Sequence, residues 1–68
     1  MIKFSERLKC FRTERGFSQK QLADKAGVSK QNISDWENDK SETSFDVLIK
    51  LAEVLQVTVG QLVGSEDL

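Results

Sequence analysis

Residues 19–38, QKQLADKAGVSKQNISDWEN, constrain this chain more than any other stretch. Apolar residues recur at helical spacing on both sides of Gly27, so the run reads as two short helices around one tight turn. Two helices that cross closely need a small residue where they meet, and Ala23 supplies it. The backbone between them must turn sharply, and Gly27 allows that because it lacks a Cβ. Leu22 and Ala26 from the first helix, Val28 from the turn, and Ile33 and Trp36 from the second are the residues expected to pin both to one core.

The chain has no proline, so glycines and short polar residues must mark the helix ends. Ser5, Ser18, Ser29, Ser44 and Thr58 each precede an apolar-periodic stretch, where a side-chain oxygen can accept from free helix N–H groups. Gln21, three residues after Ser18, completes a capping-box pattern. Gly16, Gly27 and Gly64 fall just past such stretches, where a left-handed residue ends a helix at low cost. Reading from cap to stop predicts an all-α chain of five helices at roughly 4–15, 18–26, 29–37, 44–55 and 58–63. Phe4, Leu8 and Phe11 form the apolar stripe of the first, and Phe45, Leu48, Ala52 and Leu55 that of the fourth. Val57-Thr58-Val59 is too short for a strand and lies between helical segments. A chain of 68 residues has room for one small compact domain, placed at 1–64, with an acidic tail or the start of a linker at 65–68.

Composition excludes several classes of function. The longest apolar run is three residues, Val47-Leu48-Ile49, against the roughly 18 needed to cross a bilayer. Met1-Ile2-Lys3 leads straight into an amphipathic pattern, so no signal peptide is expected and the setting is cytoplasmic, without a membrane partner. A single cysteine, Cys10, permits no intramolecular disulfide and fits a reducing compartment. With no histidine and one Cys, no metal site or cofactor is expected, nor Ser-His or Cys-His catalysis. No acid/base pair or phosphate loop is present, so the chain does not read as an enzyme. The net charge of -1 hides an asymmetry: residues 1–30 carry eight Lys/Arg against three acids, and residues 31–68 carry two against eight. Such a chain can present a basic face and an acidic back.

The paired helices around Gly27 have the form of a helix-turn-helix. Their residues resemble the phage-repressor and Cro-like helix-turn-helix family, the xenobiotic-response-element family of bacterial regulators. The likeness extends over almost the whole chain. FSERLKCFRTERGFSQ resembles the family's first helix and its lead into the second. WENDKSETSFDVLIKLAEVLQVTVGQLV resembles the end of its third helix, the loop, the fourth helix and a short fifth. The expected architecture is therefore a compact five-helix, repressor-like DNA-binding domain.

The outward face of the second motif helix can be placed from helical geometry alone. With Ile33 at 0° and about 100° per residue, Trp36 falls near -60°, so the buried direction lies near -30°. The opposite direction is closest to Gln31 and Asn38, then Ser34 and Asp35, with Lys30 at the flank of the first turn. These side chains offer directional donors and acceptors of the kind that read base edges. Trp36 lies on the inward side and is assigned to the core, not to a stacking platform for bases.

The resemblance then implies roles residue by residue. Ser29, Lys30 and Gln31, with Ser34 and Asp35 one turn later, correspond to positions that enter the major groove. There Gln31 could bond adenine bidentately, Lys30 could reach guanine O6/N7, and Asp35 could accept from cytosine N4. Gln19, Asn38 and Lys40 match backbone-contacting positions, and Arg12 is a further phosphate candidate. Arg12 and Glu37 sit where the family places an ion pair at the core edge. Many members carry glycine where this chain has Asp39 and Gln56. Asp39 also puts a charge near the expected phosphate path.

The family's dimer contact gathers around the fifth helix, which singles out Val59, Gln61 and Val63; Val47, Leu51 and Val54 form either a partly surplus apolar face on the fourth helix or an edge of the core. Cys10 lies away from the Phe4/Leu8/Phe11 stripe and is expected to be an outward-facing thiol. The expected function is sequence-specific binding of double-stranded operator DNA by a two-fold homodimer, weak without DNA, that represses or regulates transcription. The alternative is an interaction module of the same fold, such as an antitoxin or a partner-binding subunit. The acidic second half favours the latter, and the polar Gln31/Ser34/Asn38 face with Lys30 favours DNA.

Overall fold

In the computed structural model, which describes residues 4–65, the chain forms α1 (Phe4–Glu14), α2 (Gln19–Ala26), α3 (Lys30–Glu37), α4 (Phe45–Leu55) and α5 (Val59–Val63). Met1-Ile2-Lys3 and tail residues 66–68 lie outside the described residues. The four later helices start on their expected caps: Ser18, Ser29, Ser44 and Thr58 each accept from the amide three residues on. Ser18 and Gln21 form the full capping box, and so do Thr58 and Gln61. Ser5 does not cap. Phe4 already belongs to α1, and Ser5 is buried inside the helix at 6% exposure.

The five described helices also share one way of stopping. A left-handed residue follows the last turns, and the amide after it bonds back to a carbonyl five residues earlier: Phe17 to Arg12, Val28 to Ala23, Lys40 to Asp35, Val57 to Ala52 and Ser65 to Gly60. This is the six-to-one bond of a Schellman stop. The left-handed residues are Gly16, Gly27, Asp39, Gln56 and Gly64. At Gly27, φ is +71° and an added Cβ would meet nothing within 4 Å, so the preference for glycine there comes from backbone conformation and not from lack of space. Phe17, Val28 and Val57, each just past a stop, pack on the core and tie the turns to it.

Leu8, Leu22, Ile33, Leu51, Leu55 and Leu62 are fully buried, one or two from every helix. Each such side chain contributes roughly 1.5–3 kcal/mol by leaving water. Around them α2 packs against α3 and α4, α1 against α3 and α5, and α4 against α5. The fourth helix departs from expectation twice. Phe45 shares the angular position of the stripe but stands at the first residue of α4, beyond the covering helices, and is 66% exposed. Leu51, read as surplus face or core edge, is fully buried, while Val47 and Val54 are half-buried against the core, as the core-edge reading has them. The buried stripe of α4 is wider than its sequence spacing suggests, because α4 contacts both α2 and α5.

Candidate nucleic-acid interface

Ile33 and Trp36 anchor the inner side of α3 in the core, which leaves Lys30 and Gln31 exposed and Ser34 and Asp35 half-buried on its other sides. Ser29 is the N-cap, its Oγ accepting from the Asn32 amide at 3.0 Å. Its hydroxyl keeps a proton to donate outward. Gln31 Nε2 donates to Asp35 Oδ1 at 2.8 Å, one helical turn away. That bond uses one amide hydrogen and leaves Gln31 its oxygen and a second hydrogen, the pair an adenine edge requires. The spacing of four was visible in the sequence as a helical neighbour pair.

Asn38 closes the far end of the helix. Its Nδ2 donates to the Ser34 carbonyl at 2.8 Å and lies 3.4 Å from Ser34 Oγ, so the side chain folds back on α3. Lys40 follows, its amide bonded to the Asp35 carbonyl and its side chain exposed.

Beneath this face lies a cluster that joins three helices. Arg12 Nε donates to Glu37 Oε2 at 2.6 Å and Nη2 to Oε1 at 3.2 Å, a bidentate pair with side chains only 11% and 3% exposed. Arg12 Nη1 also donates to the Phe17 carbonyl at 2.8 Å, fixing the chain where it enters α2. Gln19 Nε2 donates to Glu37 Oε1 at 3.1 Å. This last bond has no sequence signal, since 18 residues separate its partners.

Several other basic side chains of the first half make contacts within the fold, some of them while remaining exposed. Arg7 is buried and donates to the Gln61 carbonyl of α5, and Arg15 donates to the Leu55 carbonyl at the end of α4. Lys20 pairs with Asp24, and Lys25 lies 5.4 Å from the centre of the Phe17 ring. Sequence reasoning missed the roles of Arg7 and Arg15, whose acceptors are backbone atoms of distant helices. Lys30 and Lys40 are exposed and engage no acid among the described residues. They flank α3 at either end.

The short α5 presents Val63 at 37% exposure, with Val59 and Gln61 half-buried. Cys10 is exposed, its Sγ 3.8 Å from Glu14 Oε1. Among the described residues no helix is long and apolar enough to cross a membrane, and no group of His, Cys, Asp and Glu could hold a metal ion.

Comparison with known proteins identifies the family and the fold. The helix-turn-helix family model matches residues 8–62. The transcriptional regulator SinR of Bacillus licheniformis is 40% identical over 63 residues, covering 91% of this chain and 57% of that protein. The crystal structure of SinR in complex with DNA superposes with a TM-score of 0.83 at 38% identity, covering 87% of this chain and 95% of that one. The P22 c2 repressor in complex with a synthetic operator gives a TM-score of 0.90 at 27% identity, covering 97% and 100%. The chain spans between 33% and 57% of the length of the curated relatives it matches.

Proposed function

Since the chain belongs to the helix-turn-helix family, we propose that it binds double-stranded operator DNA with α3 in the major groove and regulates transcription, most directly by repression. The observation that carries this is the exposed face of α3, where Lys30, Gln31, Ser34 and Asp35 stand away from the buried Ile33 and Trp36. Ser29, Lys30, Gln31, Ser34 and Asp35 are assigned to the bases. Gln31 takes adenine with its free oxygen and hydrogen, Lys30 takes guanine, and Asp35 has a second oxygen for cytosine N4. Arg12, Gln19, Asn38 and Lys40 are assigned to the phosphate backbone, which sets register. The unit that performs this is residues 1–64, acting without catalysis, in the cytoplasm where the DNA lies.

The dimensions favour pairing. At 27 × 23 × 21 Å, one domain is shorter than the roughly 34 Å between half-sites on successive turns of one duplex face. Two copies are needed to read both. Val59, Gln61 and Val63 on α5 are assigned to the two-fold contact, which is small and so weak without DNA.

Selection from a pool of randomised duplexes at low salt, followed by a mobility shift on the enriched sequence, tests this. A two-fold-symmetric enriched site supports it. No duplex binding at any salt refutes it and leaves the interaction-module alternative, an antitoxin or partner-binding subunit.

A further inference from the structure

The Glu37 carboxylate has three donors on it: Arg12 Nε, Arg12 Nη2 and Gln19 Nε2. With its side chain 3% exposed, it is buried between α1, α2 and the end of α3. Arg12 satisfies the charge. The Gln19 bond is additional, and it does something that the ion pair does not require.

A glutamine amide has two chemically different faces, and a free one turns either outward. An ionised carboxylate can only accept hydrogen bonds. Glu37 therefore holds Gln19 with its nitrogen inward, and the oxygen cannot take that place. One amide hydrogen is consumed, and the other remains for an acceptor outside. Gln19 is the first residue of α2, and its own amide and that of Lys20 have no acceptor within the helix. Ser18 serves the Gln21 amide, and Arg12 clamps the Phe17 carbonyl just before it. The first turn of α2 is thus tied to α1 and α3, and its remaining donors sit at a helix N-terminus, where N–H groups favour an anion.

We infer that Glu37 is a positioning residue for DNA: it fixes the amide orientation of Gln19, so that a hydrogen and not the oxygen meets the phosphate at the start of α2. This rests on the DNA-binding function proposed above. The sign of its consequence is distinctive. A carboxylate near a polyanion opposes binding, so removing its charge should by electrostatics alone tighten the complex. Positioning requires the reverse.

The test is a titration of wild type, Glu37→Gln, Gln19→Met and the double variant against the selected duplex and a scrambled one, at a temperature where far-UV circular dichroism shows each folded. Glu37→Gln should weaken both duplexes by about tenfold, the loss of one hydrogen bond to a charged acceptor. In the Gln19→Met background the same change should alter affinity less than about twofold, because the oriented group is gone. In the free wild-type protein the Gln19 side-chain amide protons should be well dispersed by NMR and collapse toward their free positions in Glu37→Gln. Where that variant does not fold, Glu37→Asp, which keeps the charge and shortens the arm, should show the same collapse and weakening. Tighter binding by Glu37→Gln, or losses that multiply in the double variant, overturns the inference. A wild-type chain that binds no duplex overturns the proposed function as well, whereas wild-type binding with multiplying losses overturns this inference alone.

Discussion

Replacing Arg12 with methionine removes the only cation that the described residues place on the Glu37 carboxylate, whose side chain is 3% exposed. Glu37 would keep the hydrogen bond from Gln19 Nε2, and the Phe17 carbonyl would lose the one from Arg12 Nη1. Stranding one member of a buried pair costs about 3–5 kcal/mol. A 68-residue domain has a total stability of only about 3–10 kcal/mol. Arg12→Met should therefore leave the chain marginal or unfolded at room temperature. Exchanging both partners, as Arg12→Met with Glu37→Met, removes the stranded charge and fills the site with apolar volume. That double variant should be more stable than Arg12→Met alone, with a coupling of about 2 kcal/mol or more. An exposed pair would give no more than about 1 kcal/mol. Urea titrations of the four proteins, sharing one slope near 1 kcal/mol per molar, would show the coupling as about 2 M between midpoints. Additivity to within about 0.5 kcal/mol would refute the argument, showing that Glu37 is solvated and that the cluster does not hold the three helices together.

Gln56 stops α4 with a left-handed φ of +58°. Gln56→Gly should raise the thermal midpoint by a few degrees, about 0.5–1 kcal/mol, because glycine adopts that conformation without the Cβ penalty and loses some of the gain to its freer unfolded state. Leu62 is the fully buried residue that fastens the five-residue α5, so Leu62→Ala should cost about 2–5 kcal/mol in urea unfolding. By contrast, Phe45→Ser at a 66% exposed position should stay within about 0.5 kcal/mol of wild type. Lys40→Ala should weaken selected and scrambled duplexes alike and reduce the salt slope by about one, as loss of one phosphate contact does.

Local chemistry made the helices legible. Ser18, Ser29, Ser44 and Thr58 each cap by the shortest possible route, a side chain reaching an amide three residues away, so pattern and outcome coincide. Ser5 had the same pattern and a different fate, because nothing local distinguishes a cap from a small buried residue one position inside a helix. The stops at Asp39 and Gln56 are invisible to a search for glycine, yet they use the same bonding as Gly16, Gly27 and Gly64. Phe45 and Leu51 traded places with expectation because periodicity gives the direction of a side chain but not which neighbour covers it.

The candidate site divides the same way. The outward direction of α3 follows from Ile33 and Trp36 alone, and the Gln31–Asp35 bond is a neighbour pair at helical spacing. The Gln19–Glu37 bond, and the anchoring of Arg7 and Arg15 on distant carbonyls, depend on how three helices meet.

The sharpest measurement is the affinity of Gln31→Ala for the selected duplex and for its scrambled counterpart at two salt concentrations. Gln31 is exposed at the start of α3 and carries no charge, so it can report on bases without altering counterion release. Insertion of α3 into the major groove predicts a loss of about 1–3 kcal/mol on the selected duplex, confined to one base position per half-site, with scrambled binding and both salt slopes unchanged. Equal weakening on both duplexes, or none on either, would contradict it and would mean that α3 does not read the sequence.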